Sequence, residues 1–178
     1  CISRRDHENE FNGRPTRQKL LRLTAEKGFP LEWHDHVLNV KQQITKEVIR
    51  EFLRPDETKL ALLDLLRQDG LFLGVASNMA YEPLTALLRA VGVAEYLDAT
   101  IGQEQVTHSK PHCEPYLTCA TAMGVDISSC VIVVDNPISL QAARDADPLD
   151  IVTIESHEEV DITLYPMITR FLPMNRAA

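Results

Sequence analysis

Three polar groups in this chain stand just beyond short apolar runs. Ser77 and Asn78 follow Leu71-Phe72-Leu73-Gly74-Val75-Ala76, and Asp135 follows Val131-Ile132-Val133-Val134. Lys110 lies in Ser109-Lys110-Pro111, after the weaker run Ala99-Thr100-Ile101. A hydroxyl ahead of a helix sits beside backbone N–H groups that have no intrahelical partner, which suits an oxyanion such as phosphate. The same serine can instead cap that helix. A carboxylate leaving a buried strand needs a partner, and a divalent cation is one. Capping the helix that begins near Pro137 is the other reading of Asp135. Lys110 either reaches a phosphate or carboxylate, or stays in water.

These residues act together only if the elements before them bring them together. Residues 1–52 read as helical. Pro15 opens a helix with Leu20, Leu21 and Leu23, and Gly28 stops it. Val37, Val40, Ile44, Val48, Ile49 and Phe52 keep helical spacing through a second helix. From about residue 53 the pattern changes. Asp56 caps a helix holding Leu60, Leu63 and Leu66. The run 71–76 then predicts a strand covered on both faces. A helix with Leu84, Leu87, Leu88 and Val91 stops at Gly92, and 99–101 is a weak strand. A helix over about 114–123 stops at Gly124, and 131–134 is the strongest strand. A helix around 141–144 and a strand over 151–154 follow, with one more helix around Leu164, Met167, Ile168 and Phe171 before a frayed end. Alternating strands and helices with apolar strands imply an α/β, Rossmann-like parallel sheet. Such sheets bind ligands outside the carboxyl ends of their strands, where Ser77, Asn78 and Asp135 lie.

Composition removes several function classes. The 178 residues are 44% hydrophobic and 25% charged, as in ordinary globular chains. No apolar run is long enough for a transmembrane helix, so no membrane partner is expected. With Lys+Arg 18 and Asp+Glu 26 the net charge is −8, which argues against nucleic acid as the main partner. Cys1, Cys113, Cys119 and Cys130 match no zinc spacing and are read as reduced thiols of a cytoplasmic protein. Neither a dinucleotide fingerprint nor a P-loop occurs.

Three segments carry a resemblance to a known family. Gly74-Val75-Ala76-Ser77-Asn78, Lys110-Pro111-His112-Cys113-Glu114-Pro115-Tyr116-Leu117 and Val131 through Ala143 resemble, in order, the second, third and fourth motifs of the haloacid dehalogenase-like hydrolases. The branch they are most similar to contains β-phosphoglucomutase-like phosphatases. Phe11-Asn12-Gly13-Arg14-Pro15-Thr16 resembles the start of that family's helical cap. The resemblance implies a small helical cap over residues 1–52 and a hydrolase core over 53–178. It implies a Mg²⁺-dependent phosphatase acting on a small phosphorylated metabolite through an aspartyl-phosphate. Ser77 and the Asn78 backbone would hold the phosphoryl oxygens, Lys110 would offset negative charge, and Asp135 would hold the metal. Cap cations such as Arg14, Arg17 and Lys41 would grip the substrate, although solvated helix faces also explain Arg17 and Lys41.

The pattern is incomplete. The family's first motif, an apolar strand ending in Asp-x-Asp-Gly, is absent, and Asp145-Ala146-Asp147 is rejected because it follows a helical stretch. The chain is therefore expected to be a fragment, inactive by itself, whose nucleophile lies upstream of Cys1. Because that strand is central in the family, its two neighbours should face a gap. Val134 stands where a second acid is usual, Ser139 replaces a glycine, Cys113 a proline and Asp147-Pro148 an Ala-Gly. Those changes leave a phosphomutase and a catalytically inactive binding module as alternatives. His34-Asp35-His36 is not expected to bind metal, since neighbouring imidazoles diverge on a helix. Substrate identity and oligomeric state are not legible.

Overall fold

The computed structural model describes residue 11 and residues 13–171. Cys1, Asn12 and the expected frayed end beyond residue 171 lie outside the described residues.

Two helices come first. α1 (Thr16–Lys27) starts after Pro15 and ends at Gly28, whose φ of 67° is the left-handed conformation that terminates helices. A short turn leads into α2 (His34–Phe52). The helical periodicity of α2 is as expected, but its apolar stripe is not covered: only Ile49 is buried, while Val40, Ile44, Val48 and Phe52 are exposed. Spacing fixes which residues share a helix face; it does not supply a neighbour for that face.

The remainder alternates. α3 (Glu57–Gln68) is capped by Asp56, which accepts the Thr58 N–H at 3.0 Å. β1 (Gly74–Ala76), α4 (Tyr81–Ala90) and β2 (Ala99–Ile101) follow, then α5 (Glu114–Met123), β3 (Val131–Val134), α6 (Pro137–Ala146) and β4 (Asp150–Thr153). The last helix, α7 (Tyr165–Thr169), is shorter than its apolar residues suggest. Leu71, Phe72 and Leu73 do not join β1. Leu73 is tied to the Asp98 carboxylate through its N–H (2.8 Å) and to the Asp98 N–H through its carbonyl (2.8 Å), before the strand ladder begins.

β1 pairs in parallel with β2, and β3 in parallel with β4, as two separate two-stranded sheets. β1 and β3 each keep one unpaired edge among the described residues. The expected covering of β1 on both faces is therefore a correction: Gly74 is exposed, and so is Val133 of β3. Helices, rather than ladder hydrogen bonds, hold the halves in one body. α5 packs Cys119 with Ala99 and Ile101 and turns Tyr116 toward Ile132 and Val134. α3 puts Leu62 and Leu66 in one cluster with Leu73 and Val152. Burying a leucine as fully as Leu62 contributes about 1.5–3 kcal/mol.

Candidate functional site

The carboxyl ends of β1 and β3 open into one cleft of about 940 Å³, roofed by α1 and α2. Ser77, Asn78, Lys110, Asp135, Arg14 and Arg17 all line it. The sequence separates Ser77 from Asp135 by 58 positions, and parallel strands with short exits bring them to the same rim.

Ser77 extends the β1–β2 ladder, its N–H donating to the Ile101 carbonyl at 2.9 Å. Its Oγ accepts the Met79 N–H at 3.1 Å, a local turn rather than a helix cap. α4 starts four residues later with no side-chain cap, and its Tyr81 N–H donates to Glu104 at 2.8 Å. The cap reading of Ser77 is thus corrected, since it does not cap α4; of the N–H groups at the start of α4, that of Tyr81 is taken by a carboxylate. What remains at Ser77 is a hydroxyl and loop backbone facing the cleft.

Asn78 acts through its side chain. Its Nδ2 donates to the Gly13 carbonyl at 2.8 Å and the Lys110 carbonyl at 2.9 Å, and its Oδ1 accepts the Lys110 N–H at 2.9 Å. One amide therefore fixes the turn before α1, the exit of β1 and the Lys110 loop. The Lys110–Pro111 bond in that loop is cis.

Lys110 is 8% exposed, so the solvated reading fails. Its Nζ donates to Ser139 Oγ and Tyr116 Oη, each at 3.2 Å, and lies 4.8 Å from the Tyr116 ring centroid. Burial strips water from the ammonium and brings its pKa down to about 8, while the Asp135 charge pulls in the opposite direction. Tyr116 is pushed up to about 12, mainly by burial, so it stays a neutral phenol.

Asp135 is exposed at the mouth, its Oδ1 accepting from Asn136 Nδ2 at 2.7 Å. The helix-cap reading of Asp135 fails because Asn136 has that role: its Oδ1 accepts the Ser139 N–H at 2.9 Å. Asp135 is left for the cleft. Mg²⁺ takes oxygen ligands and commonly uses one or two carboxylates with phosphate and water. Asp135 fits as one such ligand; beside it Val134 is buried in the core and offers no second carboxylate.

Cations dominate the roof. Arg14, Arg17, Lys19, Lys41 and Lys110 line the cleft against Asp35, Glu104 and Asp135, so a chain of net charge −8 holds a cationic cavity. Such focusing draws anions. Arg17 lies 3.9 Å from Asp35, and Lys41 donates to Thr16 Oγ1 at 2.6 Å. Lys19, Tyr116, Asn136 and Ser139 were not singled out as site residues by sequence reasoning. Tyr116 lies inside the third motif, and Ser139 lies in the fourth, where it is a departure from glycine. Burial and the nearby Lys41 charge lower the pKa of Lys19.

Of the two rejected constellations only Asp35 lines the cleft; His34, His36, Asp145 and Asp147 do not. His34 Nε2 lies 2.8 Å from Thr24 Oγ1, while His36 meets the Trp33 ring edge-on at 5.5 Å, so the two imidazoles diverge. Asp145 accepts from Gln141 at 2.8 Å, and Asp147 closes α6 with a φ of 54°.

Residues 3–152 match the sequence model of the haloacid dehalogenase-like hydrolases. The chain is 32% identical over 111 residues to a fructose-1-phosphate phosphatase of Escherichia coli (strain K12), covering 59% of this chain and 58% of that protein. It is 30% identical over 119 residues to hexitol phosphatase B of the same organism, covering 63% of this chain and 54% of the other. It thus spans little more than half the length of these relatives. A β-phosphoglucomutase from Clostridium difficile has the same fold, with a TM-score of 0.77 at 16% identity over 95% of this chain and 82% of that one.

Proposed function

Because the chain belongs to the haloacid dehalogenase-like hydrolase family, we propose that the intact protein removes phosphate from a small phosphorylated metabolite. The observation that carries this reading is the meeting of Ser77, Lys110 and Asp135 at one cationic cleft. Residues 1–52 act as a cap over that cleft and residues 53–178 as the hydrolase core. Relatives named for fructose 1-phosphate and hexitol phosphate support a phosphorylated sugar or sugar alcohol as substrate.

Each residue has a defined task. The Ser77 hydroxyl and the Asn78 backbone hold phosphoryl oxygens, while the Asn78 side chain keeps the Lys110 loop in register. The Lys110 ammonium, fixed by Ser139 and Tyr116, offsets negative charge that grows on the phosphoryl group. Arg14 and Arg17 face the non-reacting part of the substrate from the roof. Mg²⁺, held in part by Asp135, would neutralise phosphate charge. The nucleophile is an aspartate upstream of this chain, on a strand pairing with the open edges of β1 and β3. Its carboxylate oxygen bonds to phosphorus as the ester P–O bond breaks. The leaving oxygen takes a proton from a second carboxylic acid, and water then splits the acyl phosphate to restore the carboxylate.

The test is phosphate release from fructose 1-phosphate and hexitol phosphates with Mg²⁺, using this chain joined to the coding sequence that precedes Cys1. Turnover lost in Lys110→Met and Asp135→Ala is the expected result, with no turnover from the chain as given. Turnover by the extended protein that is indifferent to both substitutions would overturn the reading.

A further inference from the structure

In the segment that carries Lys110, among residues that do not line the cleft, lies a second group of ligating side chains. His108, His112 and Glu114 each present a donor atom within 4.8 Å of the other two, and they are the cluster of this kind among the described residues. The two imidazoles stack with centroids 4.7 Å apart, and His108 Nδ1 lies 2.9 Å from Glu114 Oε2. Glu114 is held in place: it is the first residue of α5, and its carboxylate accepts the N–H groups of Thr107 (2.6 Å) and His108 (2.9 Å). Cys113 Sγ, 4.0 Å from His112 Nδ1, is a nearby soft donor.

We propose that His108, His112 and Glu114 form a binding site for a borderline transition-metal ion of the Zn²⁺ class, distinct from the Mg²⁺ ligand Asp135. Two imidazoles and a carboxylate suit Zn²⁺, Ni²⁺ or Cu²⁺, whereas Mg²⁺ favours oxygen ligands and keeps its waters. Ligands about 2.0–2.1 Å from a tetrahedral ion stand roughly 3.3 Å apart. The donors, all within 4.8 Å of one another, must therefore close by up to about 1.5 Å at their widest, while the 2.9 Å His108–Glu114 contact opens slightly, and both histidines are exposed. His112 exchanges its Nδ1 contact with the Glu114 N–H (3.1 Å) for the ion. Positions 108, 112 and 114 bracket Lys110, so the bound ion ties the two ends of the loop that carries the ammonium. The site leaves the cleft open and needs no turnover to be detected.

The chain is titrated with Zn²⁺ against a chromophoric chelator, and hydrogen exchange over residues 107–114 is followed with and without the ion. Expected are one ion per chain, slower exchange in that segment, and undiminished binding in excess Mg²⁺. His108→Ala and His112→Ala each weaken binding by at least the ~10-fold that lesser changes around a metal bring. Both side chains are exposed, so the variants should melt with the parent in chelator. Binding that survives the double substitution, that is lost in Cys113→Ser alone, or that never appears at micromolar Zn²⁺ overturns the proposal.

Discussion

Asn78 and Lys110, 32 positions apart in sequence, hold each other by a reciprocal pair of hydrogen bonds. Asn78 Nδ2 donates to the Lys110 carbonyl, and the Lys110 N–H donates to Asn78 Oδ1, both at 2.9 Å. The exit loops of β1 and β2 are thereby locked to each other, and a further bond to the Gly13 carbonyl adds the entrance to α1. Asn78→Ala leaves one donor and two acceptors unmatched in a partly buried place. An unsatisfied group of this kind costs about 1–3 kcal/mol. Urea unfolding should show a loss of about 2 kcal/mol, and Asn78→Asp, which cannot donate, should not recover it.

Lys110 gives stability a definite pH dependence. Its folded pKa of about 8 lies below the ordinary 10.5, so between those values the unfolded chain binds more protons. Stability therefore rises with pH across that window. Compared with Lys110→Met, which lacks the titration, the parent should gain up to about 3 kcal/mol between pH 8 and 10.5. A difference between the two proteins that is flat with pH, read from denaturant midpoints, would contradict the buried ammonium.

The same titration acts on anion binding with the opposite sign. Inorganic phosphate meets an ammonium below pH 8 and a neutral amine above it. Affinity should fall as pH rises through about 8, and Lys110→Met should remove that part of the dependence. Calorimetric titration with phosphate at several pH values measures it.

Ser139 stands where the family pattern has glycine, and here it accepts from the Lys110 ammonium at 3.2 Å. Ser139→Ala removes one acceptor from the charged form of the amine. The Lys110 pKa should drop further, and the amine should be acylated faster at neutral pH; peptide mapping after limited acylation reads this directly. Unchanged labelling would show that Tyr116 holds the ammonium without Ser139.

Two glycines separate backbone crowding from side-chain crowding. A Cβ on Gly102 would come within 2.8 Å of Tyr81 Cα and 2.9 Å of its nitrogen, backbone that cannot step aside alone. A Cβ on Gly74 would meet Cys119 Sγ at 2.6 Å and Met123 Sδ at 2.9 Å, and the methionine can turn away. Overpacking costs about 1–3 kcal/mol. Gly102→Ala should fall at the upper end, with a lower melting temperature than Gly74→Ala.

Local elements and the residues at their ends are legible in the order of amino acids alone. Apolar runs bounded by helix stops marked 99–101 and 131–134 as strands, and Gly28 and Gly124 end helices in the left-handed conformation. Ser77, Asn78, Lys110 and Asp135 were legible because three motifs in fixed order carried them. These signals depend on neighbours a few positions away, which the sequence lists directly.

Whatever depends on partners distant in the chain was settled by packing. It assigned the cap of α6 to Asn136, gave the Tyr81 N–H to Glu104, and buried Lys110 between Tyr116 and Ser139. It left most of the α2 stripe exposed and the edges of two separate half-sheets unpaired among the described residues. Spacing says which side chains share a face or a loop. Hydrogen-bond choice, burial and the resulting pKa depend on which surfaces meet, and that is a property of the packed chain.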